Sequence, residues 1–308
     1  MIEAKSLTKK YGSRTAVSDV SFTVNKGEVV GFLGPNGAGK TTTMKILTGY
    51  MAPNQGEVYL DKIDVFKNPF SAKKKIGYLP EIPPVYSDMK VEDYLKYVAR
   101  LKLCPKEKIP KLIEGAIAKA NLKDVRKRLI RNLSKGFKQR TGLAQALVSD
   151  PEILILDEPT VGLDPKQVIE IRETLKQLKG QHTIILSTHI LSEVQISCDR
   201  VIIINEGKIV TEDSLEGLSQ KMRRKRQILL KVRKPSDKLT ADMKNIKGVL
   251  SAKKTNSGFE LDVEPDESIN EEVAKMVISN SYGLIELQEQ AFNLEDVFIR
   301  LTNKETKQ

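Results

Sequence analysis

The sequence predicts an α/β protein built on a parallel sheet, followed by a smaller α+β domain. Three observations carry that expectation. The runs Ile153–Leu156, Thr183–Leu186 and Val201–Ile204 are short, apolar and rich in β-branched residues, and helical patterns separate them. Uninterrupted apolar runs of this kind are what strands covered on both faces require, and their alternation with helices is the pattern of a parallel sheet. The segment EVVGFLGPNGAGKTTTMKIL places a glycine-rich loop between an apolar run and a helical one. Beyond a polar, strongly basic stretch the pattern changes to β-α-β-β-α-β.

The elements follow in order. As far as about Asn25, short stretches alternate apolar and polar residues around a Tyr11-Gly12 turn, which predicts edge-type antiparallel strands. Val58–Leu60 and Ile76–Leu79 read as further strands, and residues from about Val91 to Arg131 carry helical spacing and many charges. There Val91, Tyr94, Leu95, Val98 and Leu101 are expected to share one apolar face. A helix begins near Phe137, runs to Val148 and stops at Asp150-Pro151. The domain boundary falls near 215–227 (EGLSQKMRRKRQ), giving domains of 1–220 and 221–308. Beyond it, strands are expected at 228–233, 249–255, 259–264 and 284–290, with helices near 236–245, 267–280 and 294–302.

Composition bounds the function. The 308 residues are 40% hydrophobic and 30% charged, and the formal net charge is +11. Such a chain attracts anions, though most of its Lys and Arg are read as solvated helix faces, the basic stretch Met222–Arg226 included. Cys104 and Cys198 lack metal-ligand spacing and fit a reducing compartment. No signal-peptide pattern opens the chain, and no run of about 20 apolar residues could span a bilayer, so a cytoplasmic protein is expected, with any membrane role through a partner. Aromatic residues make up 5% and tryptophan is absent, which argues against a base-stacking surface and against a nucleic-acid partner. Phe22, Phe32 and Phe298 are assigned to packing.

Four motifs point to chemistry. GPNGAGKT (Gly34, Pro35, Asn36, Gly37, Ala38, Gly39, Lys40, Thr41), with Thr42 behind it, has the spacing of a phosphate cradle and lies between strand and helix as that role requires. Its N–H groups and the helix N-terminus favour phosphate oxygens; Lys40 is expected on the β- and γ-phosphates and Thr41 on Mg²⁺. In ILILDEPT, Asp157 ends an apolar strand as a candidate Mg²⁺ ligand, and Glu158 is the candidate for polarising a water. His189 ends TIILSTH and is expected to meet the γ-phosphate, whereas His182 is read as structural. In LSKGFKQR, Ser134 can cap a helix and Gly136 lets its backbone approach an anion, which makes a second phosphate site.

GPNGAGKT, LSKGFKQR, ILILDEPT, VGLDP and STH, in that order, resemble the nucleotide-binding subunit of an ABC transporter over roughly residues 1–220. The resemblance implies a P-loop ABC ATPase domain with a parallel core sheet, an antiparallel β subdomain and a helical subdomain, followed by a small ferredoxin-like α+β domain. It implies ATP and Mg²⁺ as ligands, with Tyr11 stacked on adenine and Glu81 in the Mg²⁺- and membrane-sensing loop. Gly162–Asp164 would form a loop communicating across a homodimer, in which Ser134 and Gly136 of one subunit meet the γ-phosphate held by Lys40 of the other. The subunit would sit on the inner face of the cell membrane against a separately encoded permease. The tail, with NLEDVFIRLT at 293–302, resembles the C-terminal extension of exporter-type ATPases. Two motifs depart from the family pattern: Glu81 replaces the usual glutamine, and LSKGF replaces LSGGQ at Lys135 and Phe137, both as subfamily marks. An alternative function is a soluble ABC-type ATPase acting on ribosomes or nucleic acid, suggested by the basic stretch; a third is a nucleotide sensor without hydrolysis, against which the intact Asp157-Glu158 pair speaks.

Overall fold

The computed structural model describes residues 1–217, 226–255, 258–264, 266 and 268–290, and the chain divides into units Met1–Asp213 and Ser214–Gln308. The first unit opens with β1 (Ile2–Tyr11), β2 (Arg14–Val24), β3 (Val29–Leu33) and α1 (Lys40–Leu47). β4 (Gln55–Leu60), β5 (Ile63–Asp64), α2 (Pro69–Lys75) and β6 (Ile76–Leu79) follow. A helical stretch holds α3 (Val91–Leu101), α4 (Ile109–Lys119) and α5 (Lys135–Leu147). The chain then returns through β7 (Ile153–Asp157), α6 (Pro165–Leu178), β8 (Thr183–Thr188), α7 (Leu191–Ser197), β9 (Arg200–Asn205) and β10 (Lys208–Ser214).

Six strands form one sheet in the order β10-β9-β3-β8-β7-β6, with β9, β3, β8, β7 and β6 pairing in parallel. Every residue of β3, β7 and β8 is buried. Isoleucine, valine and leucine side chains on both faces exclude water, so the backbone groups of these strands can be satisfied only by the ladder. Four strands form an antiparallel sheet in the order β2-β1-β4-β5. The edge position expected for the N-terminal strands holds for β2 but not for β1, where Ile2 faces Val24 on one side and Leu60 on the other. Period-two alternation reports that one face of a strand is wet; it carries no information about lateral neighbours.

In the helical stretch, α3 buries Val91, Tyr94, Leu95, Val98 and Ala99. Leu101, expected on the same face, is 62% exposed. At about 100° per residue it lies on the margin of the stripe, and Ala99 fills the other margin. Lys102, just past the helix, is half-buried, donating to the carbonyls of Lys73 and Ile76 at 2.8 and 2.7 Å, and desolvation lowers its pKa. α5 starts two residues earlier than Phe137, because the Ser134 hydroxyl accepts the Phe137 N–H (3.4 Å) and so caps it.

The second unit contains β11 (Arg226–Val232), α8 (Asp237–Lys244), β12 (Val249–Thr255), β13 (Gly258–Val263), α9 (Ser268–Ser279) and β14 (Leu284–Gln290). Its antiparallel sheet runs β12-β13-β11-β14, so the first and last of these four described strands lie side by side. Ile228, Leu230, Phe259 and Leu261 of the sheet share a core with Leu239 and Met243 of α8 and Val273 and Val277 of α9. The expected helix at 294–302, the NLEDVFIRLT segment with Phe298, and residues 222–225 of the basic stretch lie outside the described residues. Phe22 and Phe32 are core residues with ring centroids 5.5 Å apart.

Gly77 of β6 lies tight against α5: a Cβ there would lie 2.1 Å from the Ala146 carbonyl oxygen. Backbone cannot move aside as a side chain can, so Gly77→Ala should cost about 1–3 kcal/mol. Urea unfolding of the variant against the parent measures it.

Candidate functional site

The parallel register sets the site. β3 and β8 pair Leu33 with Thr188, and β7 and β8 pair Asp157 with Ser187, so three strands end together. The ladder continues one bond beyond: Gly34 N–H donates to the Thr188 carbonyl (3.3 Å) and Glu158 N–H to the Ser187 carbonyl (3.1 Å). The loop from Gly34, the Asp157-Glu158 pair and His189 therefore emerge on one edge of the sheet. Glu158 and His189 line a cavity of about 570 Å³ with Tyr11, Asn36, Gly37, Gly39, Lys40, Thr41, Thr42 and Glu81.

The glycine loop needs its glycines. Gly39, the N-cap of α1, has φ +106°, and a Cβ there would lie 2.5 Å from the Ala16 carbonyl. A side chain at that position would clash with β2 and break the approach of the loop to the helix start. Lys40 is buried; its Nζ donates to the Gly34 carbonyl (2.8 Å) and the Pro35 carbonyl (3.2 Å) and pairs with Glu158 Oε1 at 3.1 Å. The other carboxylate oxygen of Glu158 lies 2.9 Å from His189 Nδ1. Glu158 is 5% exposed and has φ +47°, a left-handed conformation that costs about 1 kcal/mol or more for a non-glycine residue. The single carboxylate is thus held between a cation and an imidazole at a strained turn.

Asp157 lies beneath this pair with no exposed surface. Its Oδ1 accepts from the hydroxyls of Ser187 and of Thr41, the latter at 3.3 Å, while its Oδ2 is buried with no hydrogen-bond partner. Burial raises its pKa against the two hydroxyl hydrogen bonds, and the charges of Glu158 and Glu81 raise it further. An orphaned carboxylate oxygen beside a threonine hydroxyl suits a hard cation. Among the described residues no group of three or more His, Cys, Asp or Glu could hold a metal by itself. Mg²⁺ accepts such a site, because it keeps water and takes the rest of its shell from substrate phosphates.

Tyr11 ends β1 at the cavity rim, 46% exposed, with its hydroxyl 2.9 Å from Met51 Sδ. His182 is buried, its Nδ1 2.7 Å from the Pro151 carbonyl, which makes it structural as expected. Glu81 lies exposed on the loop after β6. Ser134, Gly136 and Asp164 are not among the residues lining the cavity of this chain. Asp164 caps α6, accepting the Gln167 N–H at 2.9 Å, and the Gln167 amide occupies the place a Cβ on Gly136 would take, 2.3 Å away. Lys135 turns toward the same loop: a Cβ on Gly162 (φ +67°) would lie 1.9 Å from its Nζ. Sequence reading missed Arg14, Ala16 and Val161, which also line the cavity, and Ser187, which holds Asp157. Arg14 was within reach of it, because the turn at Gly12 sets Arg14 opposite Tyr11.

A glycine loop at a helix start, a buried aspartate under its threonine and a glutamate at the next strand end define a P-loop nucleoside-triphosphate hydrolase. Comparison with known proteins narrows the class. A model of the ABC transporter family matches residues 17–161. The ABC transporter ATP-binding protein YhcH of Bacillus subtilis is 36% identical over 100% of this chain and 97% of its own length. The linearmycin resistance ATP-binding protein LnrL of the same organism is 30% identical over 99% of both. Among solved structures, the dimeric, post-hydrolysis ATP-binding cassette MJ0796 bound to ADP and Pi superposes with a TM-score of 0.64 at 26% identity, covering 70% of this chain and 99% of that one. The chain belongs to the ATP-binding subunits of ABC transporters, and is an ATPase of that family.

The raised pKa of Asp157 has a sign that can be tested. In the window above the ordinary carboxylate range the folded chain holds a proton that the unfolded chain has lost, so this group's contribution is present at low pH and fades as pH rises through the folded value. Asp157→Asn should therefore raise the Tm of the protein without added nucleotide or metal at pH 7.5, with the difference shrinking toward pH 4. Scanning calorimetry across that range measures it, and a lowered Tm at pH 7.5 would contradict the assignment.

Proposed function

We propose that the chain hydrolyses ATP between two copies of itself and so drives a separate membrane permease, in the exporting direction. The observation that carries the reading is the clamp on Glu158, one oxygen on Lys40 and the other on His189, at the mouth of the cavity. A γ-phosphate entering the glycine loop would draw Lys40 toward itself, which leaves Glu158 free to accept a proton from a water. His189, half-buried at 36% side-chain exposure, would then face the same phosphate. Tyr11 offers its ring to the adenine at the rim, and Asn36 to Thr42 surround the phosphates. Asp157 and Thr41 fit Mg²⁺, which when bound supplies charge neutralisation between phosphate oxygens. Glu81 lines the same cavity and is assigned to that ion's outer environment.

Dimerisation is supported by the position of Ser134 and Gly136 away from this chain's own cavity, at the capped start of α5, where they can serve a nucleotide held by a second copy. Asp164 and Gly162 belong to the loop between these sites. The cassette MJ0796, to which the chain is similar, is dimeric, which supports a dimer here. No described helix is long and apolar enough to cross a membrane; in this reading the permease is a different chain and the subunit lies peripherally on the cytoplasmic face. Export is supported by LnrL, whose name ties it to linearmycin resistance and which matches 99% of this chain. Residues 1–220 are assigned to the ATPase domain and 221–308 to an accessory domain.

Replacing Glu158 by Gln keeps the size of the side chain and one acceptor oxygen but removes its charge and basicity. Steady-state hydrolysis should fall by about 10²-fold or more, with ATP binding retained and a nucleotide-dependent dimer accumulating on size exclusion. Hydrolysis at the parental rate would remove Glu158 from the role of base.

A further inference from the structure

Glu193 lies on α7, four residues beyond His189, and is 2% exposed. Its two oxygens meet hydroxyls rather than a cation. One accepts from Thr160 Oγ1 in a short hydrogen bond, and the other accepts from Thr188 Oγ1 at 2.7 Å. Thr160 stands two residues after Glu158, in the turn closed by Val161 N–H to the Glu158 carbonyl (3.2 Å). Thr188 immediately precedes His189, and its hydroxyl also accepts the Ile190 N–H at 3.0 Å, so it fixes the backbone on both sides of the histidine.

These contacts begin where the sheet stops. The β7–β8 ladder ends at Asp157 and Ser187 and adds only the Glu158 N–H bond beyond them. Past that point the two loops carrying Glu158 and His189 are joined through Glu193. A buried carboxylate without a cation partner is costly, and a leucine or methionine would fill the same volume without that cost. Packing alone therefore gives no reason for glutamate here, whereas a two-armed acceptor that reaches both loops does.

We infer that Glu193 is a positioning residue for ATP hydrolysis: through Thr160 and Thr188 it holds the Glu158 loop and the His189 loop at the 2.9 Å separation between their reactive groups. The inference rests on the proposed roles of Glu158 and His189. Glu193 does not touch the nucleotide site itself, so its loss should change the geometry of attack and leave affinity alone.

The test uses the full chain and compares the parent, Glu193→Ala, Glu193→Gln, Thr160→Val and, as reference, Glu158→Gln. For each, kcat and KM for ATP, binding of a fluorescent ATP analogue and Tm are measured. Loss of about an ångström of positioning can cost up to about 100-fold in rate, so Glu193→Ala should lower kcat by about 10- to 100-fold with KM and analogue affinity within about 3-fold. Glu193→Gln, which keeps the length and one acceptor oxygen, should recover part of that rate. A Glu193→Ala variant with a lowered Tm but parental kcat per folded molecule, beside an inactive Glu158→Gln, would overturn the inference and leave the role of Glu158 standing. An active Glu158→Gln would overturn that role and the inference together. If Glu193→Ala does not fold, Thr160→Val decides: it deletes one arm at nearly constant volume, a kcat loss at constant KM supports the inference, and a parental kcat overturns it.

Discussion

The register of three buried parallel strands is the constraint on which the rest depends. β3, β7 and β8 have no water on either face, so their backbone groups must pair with one another, and in a parallel ladder that pairing fixes where each strand ends relative to its neighbours. Leu33 ends beside Thr188, and Asp157 beside Ser187. A slip of one residue would turn every apolar side chain to the other face and carry Glu158 away from Lys40. The chemistry is thus placed by hydrophobic strands that contain none of it.

Within that frame the site holds several costs at once. Lys40, Asp157 and Glu158 are buried, Glu158 has a left-handed backbone, and one Asp157 oxygen lacks a partner. Each is unfavourable alone, and the surrounding sheet over-determines them all. The Lys40–Glu158 pair offsets part of the burial of both charges, and the glycine-loop carbonyls take the remaining protons of the ammonium. A polyanion with a divalent cation would relieve the rest, because it brings negative charge to Lys40 and positive charge to Asp157.

Much of this was legible in the sequence. The strand runs ILIL, TIIL and VIII stand out because strands covered on both faces must be apolar throughout, and the glycine loop is a local pattern with one structural meaning. The strand ends are legible through the motifs: Asp157 reads as the end of its strand and is the last residue of β7, and TIILSTH reads to His189 while β8 ends one residue earlier at Thr188. The polar residues at these ends are the functional ones, and it is their place directly after apolar runs that marks them. Glu193 was invisible. LSEVQIS reads as an ordinary short polar helix, and only tertiary packing shows that its glutamate points inward. Leu101 is the converse, an apolar residue whose place on the margin of α3 leaves it in solvent. Ser134, by contrast, declared itself as a cap and is one.

The contact between Lys135 and Gly162 ties two short motifs together. The lysine that distinguishes LSKGF from LSGGQ lies over the backbone of VGLDP, in the volume where any side chain at 162 would have to stand. The two motifs are far apart in the chain, yet their spellings are not independent. A side chain at 162 is compatible with this packing only if position 135 gives up its lysine or swings it away. Exchanging one motif for a relative's version without the other would therefore mismatch the pair, and a chimaera of two such subunits should be cut so that both loops come from the same parent.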